Sequence, residues 1–202
     1  MSEAVNTVNR TVNSKVSERT ASEATPDSCT AALEEFARFG FRRTSMVGLA
    51  DAVGVSRQTL YNRFGNKESV LSWAVDGLVS HVRDEAIGCL SSDLASPNEV
   101  LQEVFWQWLG TIAVLLHRHQ HAEEIFGLSK AELARSQSDP LEGISNELSA
   151  YLLRKKLRAN KTEAGDTAFS LVMAAKGLMH SCGSEEAFRS GMSRIVAGME
   201  IE

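Results

Sequence analysis

The sequence predicts an all-α fold of about nine helices. Apolar residues recur at helical spacing through most of the chain, and no stretch shows strand-like alternation of useful length. Three Pro leave few forced breaks, while several of the fourteen Gly stand where one apolar pattern stops and the next starts. With 202 residues, 43% of them hydrophobic, the chain can bury a core of one large domain or two modest ones. There is no internal repeat.

Residues 1–25 are Ser, Thr, Asn, Glu and Val without an aromatic, too little apolar surface to offset the entropy of ordering, so a disordered tail is expected. Arg10, Lys15 and Arg19 in it are either simply solvated or set against phosphate. Order begins at Thr25-Pro26, which reads as an N-cap followed by Pro at the first helical position. Cys29, Leu33, Phe36 and Ala37 then share a face, and Gly40 ends the helix. Thr44 or Ser45 caps a second helix with Met46, Leu49, Ala50 and Val53 inward. Gly54 stops it. Ser56 caps a third, short helix held by Leu60 and Phe64. Gly65 stops that, and Asn66 caps a long fourth helix with Val70, Leu71, Trp73, Ala74, Leu78 and Val82 inward.

A loop over 91–96 leads to Pro97 and the strongly apolar stretch "EVLQEVFWQWLGTIAVLLHR", which is expected to be buried on more than one side. A short helix around 122–135 and another from Pro140 to about Arg158 follow. The stretch 157–166 reads as a polar joint. Two closing helices carry Ala168, Leu171, Val172, Ala175, Leu178 and Met179, then Phe188, Met192, Ile195, Val196 and Met199.

Charge and cysteine content narrow the function. The net charge of −5 argues against an indiscriminate nucleic-acid coat. Residues 29–72, however, hold six basic side chains (Arg38, Arg42, Arg43, Arg57, Arg63, Lys67) and four acids, which suits a protein that meets phosphate on one face. Cys29, Cys89 and Cys182 are far apart and odd in number, as expected of reduced thiols in a cytoplasmic protein. No apolar run approaches the roughly 18 residues of a membrane span, and no apolar signal core is expected at the N-terminus. An enzyme is not expected: there is no phosphate-cradling Gly-rich loop, no Gly-x-Ser-x-Gly and no His-Glu-x-x-His, and no cofactor is implied.

The two short helices joined by "VGVS" form a helix-turn-helix pattern. Gly54 allows the sharp turn and Val55 plugs it into the core. The third helix is too short to stand on its own propensity. Arg57, Gln58, Thr59 and Asn62 are left outward, and these are residue types that suit guanine and adenine edges. The residues alone leave two readings, a DNA-reading unit or a packing hairpin that never touches DNA.

The stretch "AALEEFARFGFRRTSMVGLADAVGVSRQTLYNRFGNKESVL", residues 31–71, resembles the N-terminal domain of the TetR (tetracycline repressor) family of transcriptional regulators. The shared elements are Ala-Ala-Leu, Gly-Phe, Thr-Ser, Leu-Ala, Gly-Val-Ser, Thr-Leu-Tyr and Lys-Glu, all in register. The resemblance implies a three-helix DNA-binding domain over 26–71 and a helical ligand-binding and dimerisation domain over 72–202. It implies that Thr44 and Ser45 meet phosphate, that Arg57, Gln58 and Thr59 front the recognition helix, and that Tyr61 and Lys67 bind phosphates. Asn62 falls where a base or phosphate contact is common. Val47, Gly48 and Asp51 depart from the family's polar or basic residues, Ser28 stands where an apolar residue is usual, and Gln58 stands where Gly is frequent.

The implied function is a homodimeric repressor, released from a palindromic operator by a small-molecule inducer. The last two helices are the expected dimer face, with simple core packing as the other reading. Phe105, Trp106 and Leu109, with Phe169 and Met173 opposite, are either plain core or the wall of an effector pocket. His117 and His121, four apart, would share a helix face, which leaves a metal-responsive regulator open beside a solvated helix end. A helical ligand-binding protein that does not use DNA is the remaining alternative.

Overall fold

The structure is a computed structural model that describes residues 25–91, 96–135 and 140–201. The expected tail over 1–25, Thr25 apart, and most of the 91–96 loop lie outside the described residues. Helices α1 (Pro26–Phe39), α2 (Met46–Val53), α3 (Arg57–Phe64) and α4 (Lys67–Cys89) come first. Helix α5 (Pro97–Phe105) passes through a π turn (Trp106–Gly110) directly into α6 (Thr111–Arg118). Then follow α7 (Ala122–Arg135), α8 (Pro140–Arg154), α9 (Lys161–Ser181) and α10 (Glu185–Gly198). The α5–π–α6 run is one rod, so the described residues form nine rods and no strand.

Local chemistry fixes the ends. Thr25 accepts a bond from the Ser28 amide, and Pro26 occupies the first turn where no donor is needed. Ser96 and Glu99 make a reciprocal capping box on α5, with Pro97 between them. Asn160 accepts from the Glu163 amide at 3.0 Å while the Glu163 carboxylate accepts from the Ala159 amide at 3.1 Å. That pair starts α9 at Lys161, so the stretch expected as a joint over 157–166 is mostly helix. Helix α8 correspondingly stops at Arg154, short of Arg158, because Lys156 turns to φ 60° and the Leu157 amide bonds back to Leu152 at 2.9 Å.

Helix α4 is the spine. It packs on α1 and α3 at one end and on α5, the π turn, α7 and α8 along its length. Val70, Leu71, Ala74, Val75, Leu78, Val82 and Ala86 are its buried side. The expected boundary between residues 71 and 72 therefore falls inside a continuous helix. Trp73 is half-buried rather than inward, tilted against Phe64 with ring centres 5.0 Å apart.

The π turn is a feature the apolar pattern does not reveal. At this turn Trp108 and Leu109 both point into the core, although they are adjacent in sequence. Trp106 is turned toward α10, edge-on to Phe188 with centroids 6.0 Å apart. The Arg189 guanidinium lies 4.9 Å above the indole and bonds Glu103 at 2.9 Å. Burial raises the Glu103 carboxyl, but hydrogen bonds from Arg189 and Gln107 outweigh it and hold the group below the usual carboxylate range. Gly110 is required because any Cβ there would overlap the Trp106 ring. Gly110→Ala should cost about 1–3 kcal/mol in thermal or urea unfolding, and much less in a Trp106→Ala background. Equal costs in the two backgrounds would show that the indole is not what Gly110 accommodates.

Candidate nucleic-acid interface

The interface begins with how α1, α2 and α3 are set. Gly40 adopts φ 80°, and its own amide closes on Phe36 at 2.8 Å. The chain then turns through Phe41–Thr44 into α2. Ser45, not Thr44, is the cap, accepting from the Gly48 amide at 3.1 Å. Thr44 is buried, and its hydroxyl donates to the Gly40 carbonyl at 2.9 Å. Its side chain is thus turned inward, away from where the resemblance implies a phosphate contact. Gly48 sits close under α1, since a Cβ there would lie 2.6 Å from the Glu35 carboxylate.

Between α2 and α3, Gly54 takes the left-handed conformation (φ 78°, ψ 31°). The Val55 amide reaches back to Ala50 at 2.9 Å and the Gly54 amide to Asp51 at 3.2 Å, a Schellman close that satisfies the end of α2. Ser56 caps α3 through the Thr59 amide at 3.0 Å. Of α3, Leu60 is buried and Phe64 half-buried, while Arg57, Gln58, Tyr61 and Asn62 are exposed. Gln58 donates to Asn62 at 2.6 Å, which holds the two amides side by side one turn apart. Thr59 is half-buried, its hydroxyl paired with that of Ser56 at 2.7 Å. Arg63 is not among the free cations: its guanidinium lies 4.8 Å over Phe64 and 5.3 Å over Trp73.

Lys67 is placed otherwise than the resemblance implies. Its ammonium donates to the carbonyls of Phe41 at 2.7 Å, Arg42 at 3.1 Å and Thr44 at 3.5 Å, and it lies 4.7 Å above the Phe41 ring. A cation with three carbonyl partners inside the chain fixes the turn before α2. Arg42, counted in the sequence only for its charge, stands exposed on that same turn. Its signal was its place beside Gly40-Phe41.

The histidines do not form one face. Helix α6 ends at Arg118, so His117 and His121 belong to different elements. His117 Nδ1 lies 2.9 Å from the Ala113 carbonyl. His121 lies 2.7 Å from Arg43 and 3.4 Å from Glu124. Among the described residues no group of three His, Cys, Asp or Glu could hold a metal ion. The expected pocket wall is also dispersed. Phe105 and Leu109 are solid core, and Trp106 is wedged against α10. Phe169 (62% exposed) and Met173 (40%) lie on the outside of α9, because Ala168, Leu171, Val172 and Ala175 occupy its inner side.

The chain thus sets a helix-turn-helix with a polar outer helix on a helical body. Residues 29–72 match the sequence model described as bacterial regulatory proteins, tetR family. Solved structures share the whole fold at low identity. A TetR-family protein from Mesorhizobium loti is 19% identical, over 92% of this chain and 96% of its own, with a TM-score of 0.59. A TetR regulator from Streptomyces coelicolor is 18% identical over 87% and 98%, with a TM-score of 0.60. NalD of Pseudomonas aeruginosa, the secondary repressor of the MexAB-OprM multidrug efflux pump, is 18% identical over 92% and 95%, with a TM-score of 0.54. Among the described residues no helix is long and apolar enough to cross a membrane.

Lys67→Ala should destabilise the DNA-free protein by about 1–3 kcal/mol, read by thermal unfolding, because three carbonyls of the turn lose their donor. An unchanged unfolding midpoint would return Lys67 to a phosphate-only role.

Proposed function

We propose that the chain is a homodimeric repressor that grips a palindromic operator through residues 44–67 and leaves it when a small molecule binds the helical body. The observation that carries this is α3, which commits Leu60 and Phe64 to the core and presents Arg57, Gln58, Tyr61 and Asn62 to solvent. Arg57 suits guanine, and the Gln58–Asn62 amide pair suits adenine. Ser45, Arg42 and Tyr61 are the phosphate-gripping set. Thr44 serves through its backbone and Lys67 by holding the turn. Thr59 completes the front of α3. The reading needs no catalysis and no cofactor, and it places the protein in the cytoplasm with its DNA.

Dimerisation sets two reading heads roughly one DNA turn, 34–36 Å, apart. The outer face of α9, with Phe169 and Met173 exposed, is the partner surface, with α10 beside it. Exposed apolar residues on a helix flanked by small ones (Ala174, Gly177) suit close packing against a second copy. The domains are then 26–71 for reading and 72–202 for sensing and pairing, joined within α4.

Selection from a random duplex pool should enrich a palindrome, and binding to it should fall steeply with salt. Gln58→Ala should relax preference at one base position at a cost of about 1–3 kcal/mol, while Tyr61→Phe should weaken all sequences alike. A pool without any enriched site would refute operator reading. Phe169→Lys should shift the protein toward monomer in sedimentation and lower operator affinity with it. A dimer that persists would place the partner surface elsewhere.

A further inference from the structure

A cavity of ≈ 100 Å³ lies between α1, α4, α6 and α7. None of the residues expected to bind an effector lines it. Leu33 and Ala37 of α1, Leu78 of α4, Leu115 of α6 and Phe126 of α7 form its walls. Ser129 also lines it, but its hydroxyl is turned onto the Ile125 carbonyl of its own helix at 2.8 Å. Lys130 lines it too, but is exposed and holds its ammonium 5.9 Å over the Phe126 ring, so apart from that one cation the lining offers an occupant little beyond hydrocarbon. Folded interiors are close-packed, so an apolar space of this size stands out; dry enclosed cavities of about 150 Å³ take up benzene, and this smaller one is partly open to solvent, so an occupant's far edge need not be enclosed.

The position matters more than the size. Helix α1 is part of the DNA-reading unit, packed on α2, and it is also a wall of this cavity. The same helix is tied to the α6–α7 joint. The His121 amide donates to the Ala37 carbonyl at 3.1 Å, Arg43 meets His121 at 2.7 Å, and Arg118 meets Glu34 at 3.4 Å. Ala37 therefore faces the cavity with its side chain and holds the joint with its carbonyl. An occupant that presses on Leu33 and Ala37 acts on the setting of the reading unit without an intermediary.

We propose that this α1–α4–α6–α7 cavity binds a compact, uncharged apolar effector, of the size of one six-membered carbon ring, and that its occupancy resets α1 and so changes operator affinity. A charge carried into the cavity is disfavoured because it would be stranded among Leu, Ile and Phe side chains, and the exposed Lys130 can meet an anionic group only where the cavity opens to solvent. The second half of the proposal rests on the operator reading given above. Coupling is reciprocal, so operator binding must weaken the ligand by the factor the ligand weakens the operator.

Toluene is the probe and benzoate its charged counterpart, tested on the full chain. At ten times its Kd, toluene should raise the unfolding midpoint by roughly 3–6 °C without DNA. It should weaken binding to the selected operator at least about fivefold. Benzoate should do neither. Ser129→Leu, at a half-buried position, and Ala122→Val, as a smaller filling change, should each abolish both toluene effects. No toluene shift, an equal shift in both filled variants, or benzoate acting as well as toluene would overturn the site. A toluene shift that the filled variants lose, with operator affinity unmoved, would overturn the coupling alone. If no operator can be selected, operator reading fails, and the thermal arm still decides the cavity.

Discussion

The setting of the reading unit depends on one cation. Lys67 stands at the start of α4 and donates to carbonyls from the turn that joins α1 to α2. Three helices meet through this contact. Without a donor, those carbonyls would face a partly buried space, where an unpaired polar group costs more than a hydrogen bond returns. The Phe41 ring beneath the ammonium stacks on Phe36 at 5.5 Å, so the same turn is pinned to the core of α1. A charged side chain thereby takes a positioning role in a segment where Arg42 and Arg57 remain exposed.

Helix α3 is the opposite case. It has little to hold it: Leu60, half of Phe64, and good caps at both ends. Eight residues cannot persist as a helix on propensity alone. The Schellman close at Gly54 and the Ser56 cap are what deliver it to its place. Its sparse anchoring and its polar outer face are the same fact seen from two sides. A helix that buried more would leave fewer polar side chains facing solvent.

The helical body touches the reading unit along α4 and again at the α6–α7 joint. The second contact is small and polar, made by Arg43, His121, Glu34 and Arg118 beside the Ala37–His121 backbone bond. Arg118–Glu34 is an exposed ion pair, which contributes little stability, and Arg43–His121 is a hydrogen bond between two basic side chains. The joint is thus the weaker of the two contacts, and the packing of α1 on α4 is the stronger.

The residues themselves determined the all-α class, the helix-turn-helix and its register. Gly40, Gly54 and Gly65 mark turns that only positive φ allows, and Ser45, Ser56 and Asn66 supply the cap oxygens locally. Such features act within a few residues, so periodicity and turn chemistry expose them. Tertiary structure decided the rest. It turned Thr44 inward, tied Lys67 to carbonyls some 25 positions away, and moved Phe169 and Met173 from an imagined pocket to the outer face of α9. It also inserted a π turn at Trp106–Gly110 and opened a cavity between helices that are remote in sequence. Which carbonyl a lysine reaches, and which face of a helix meets a neighbour, are set by long-range packing. Spacing along one helix does not encode them.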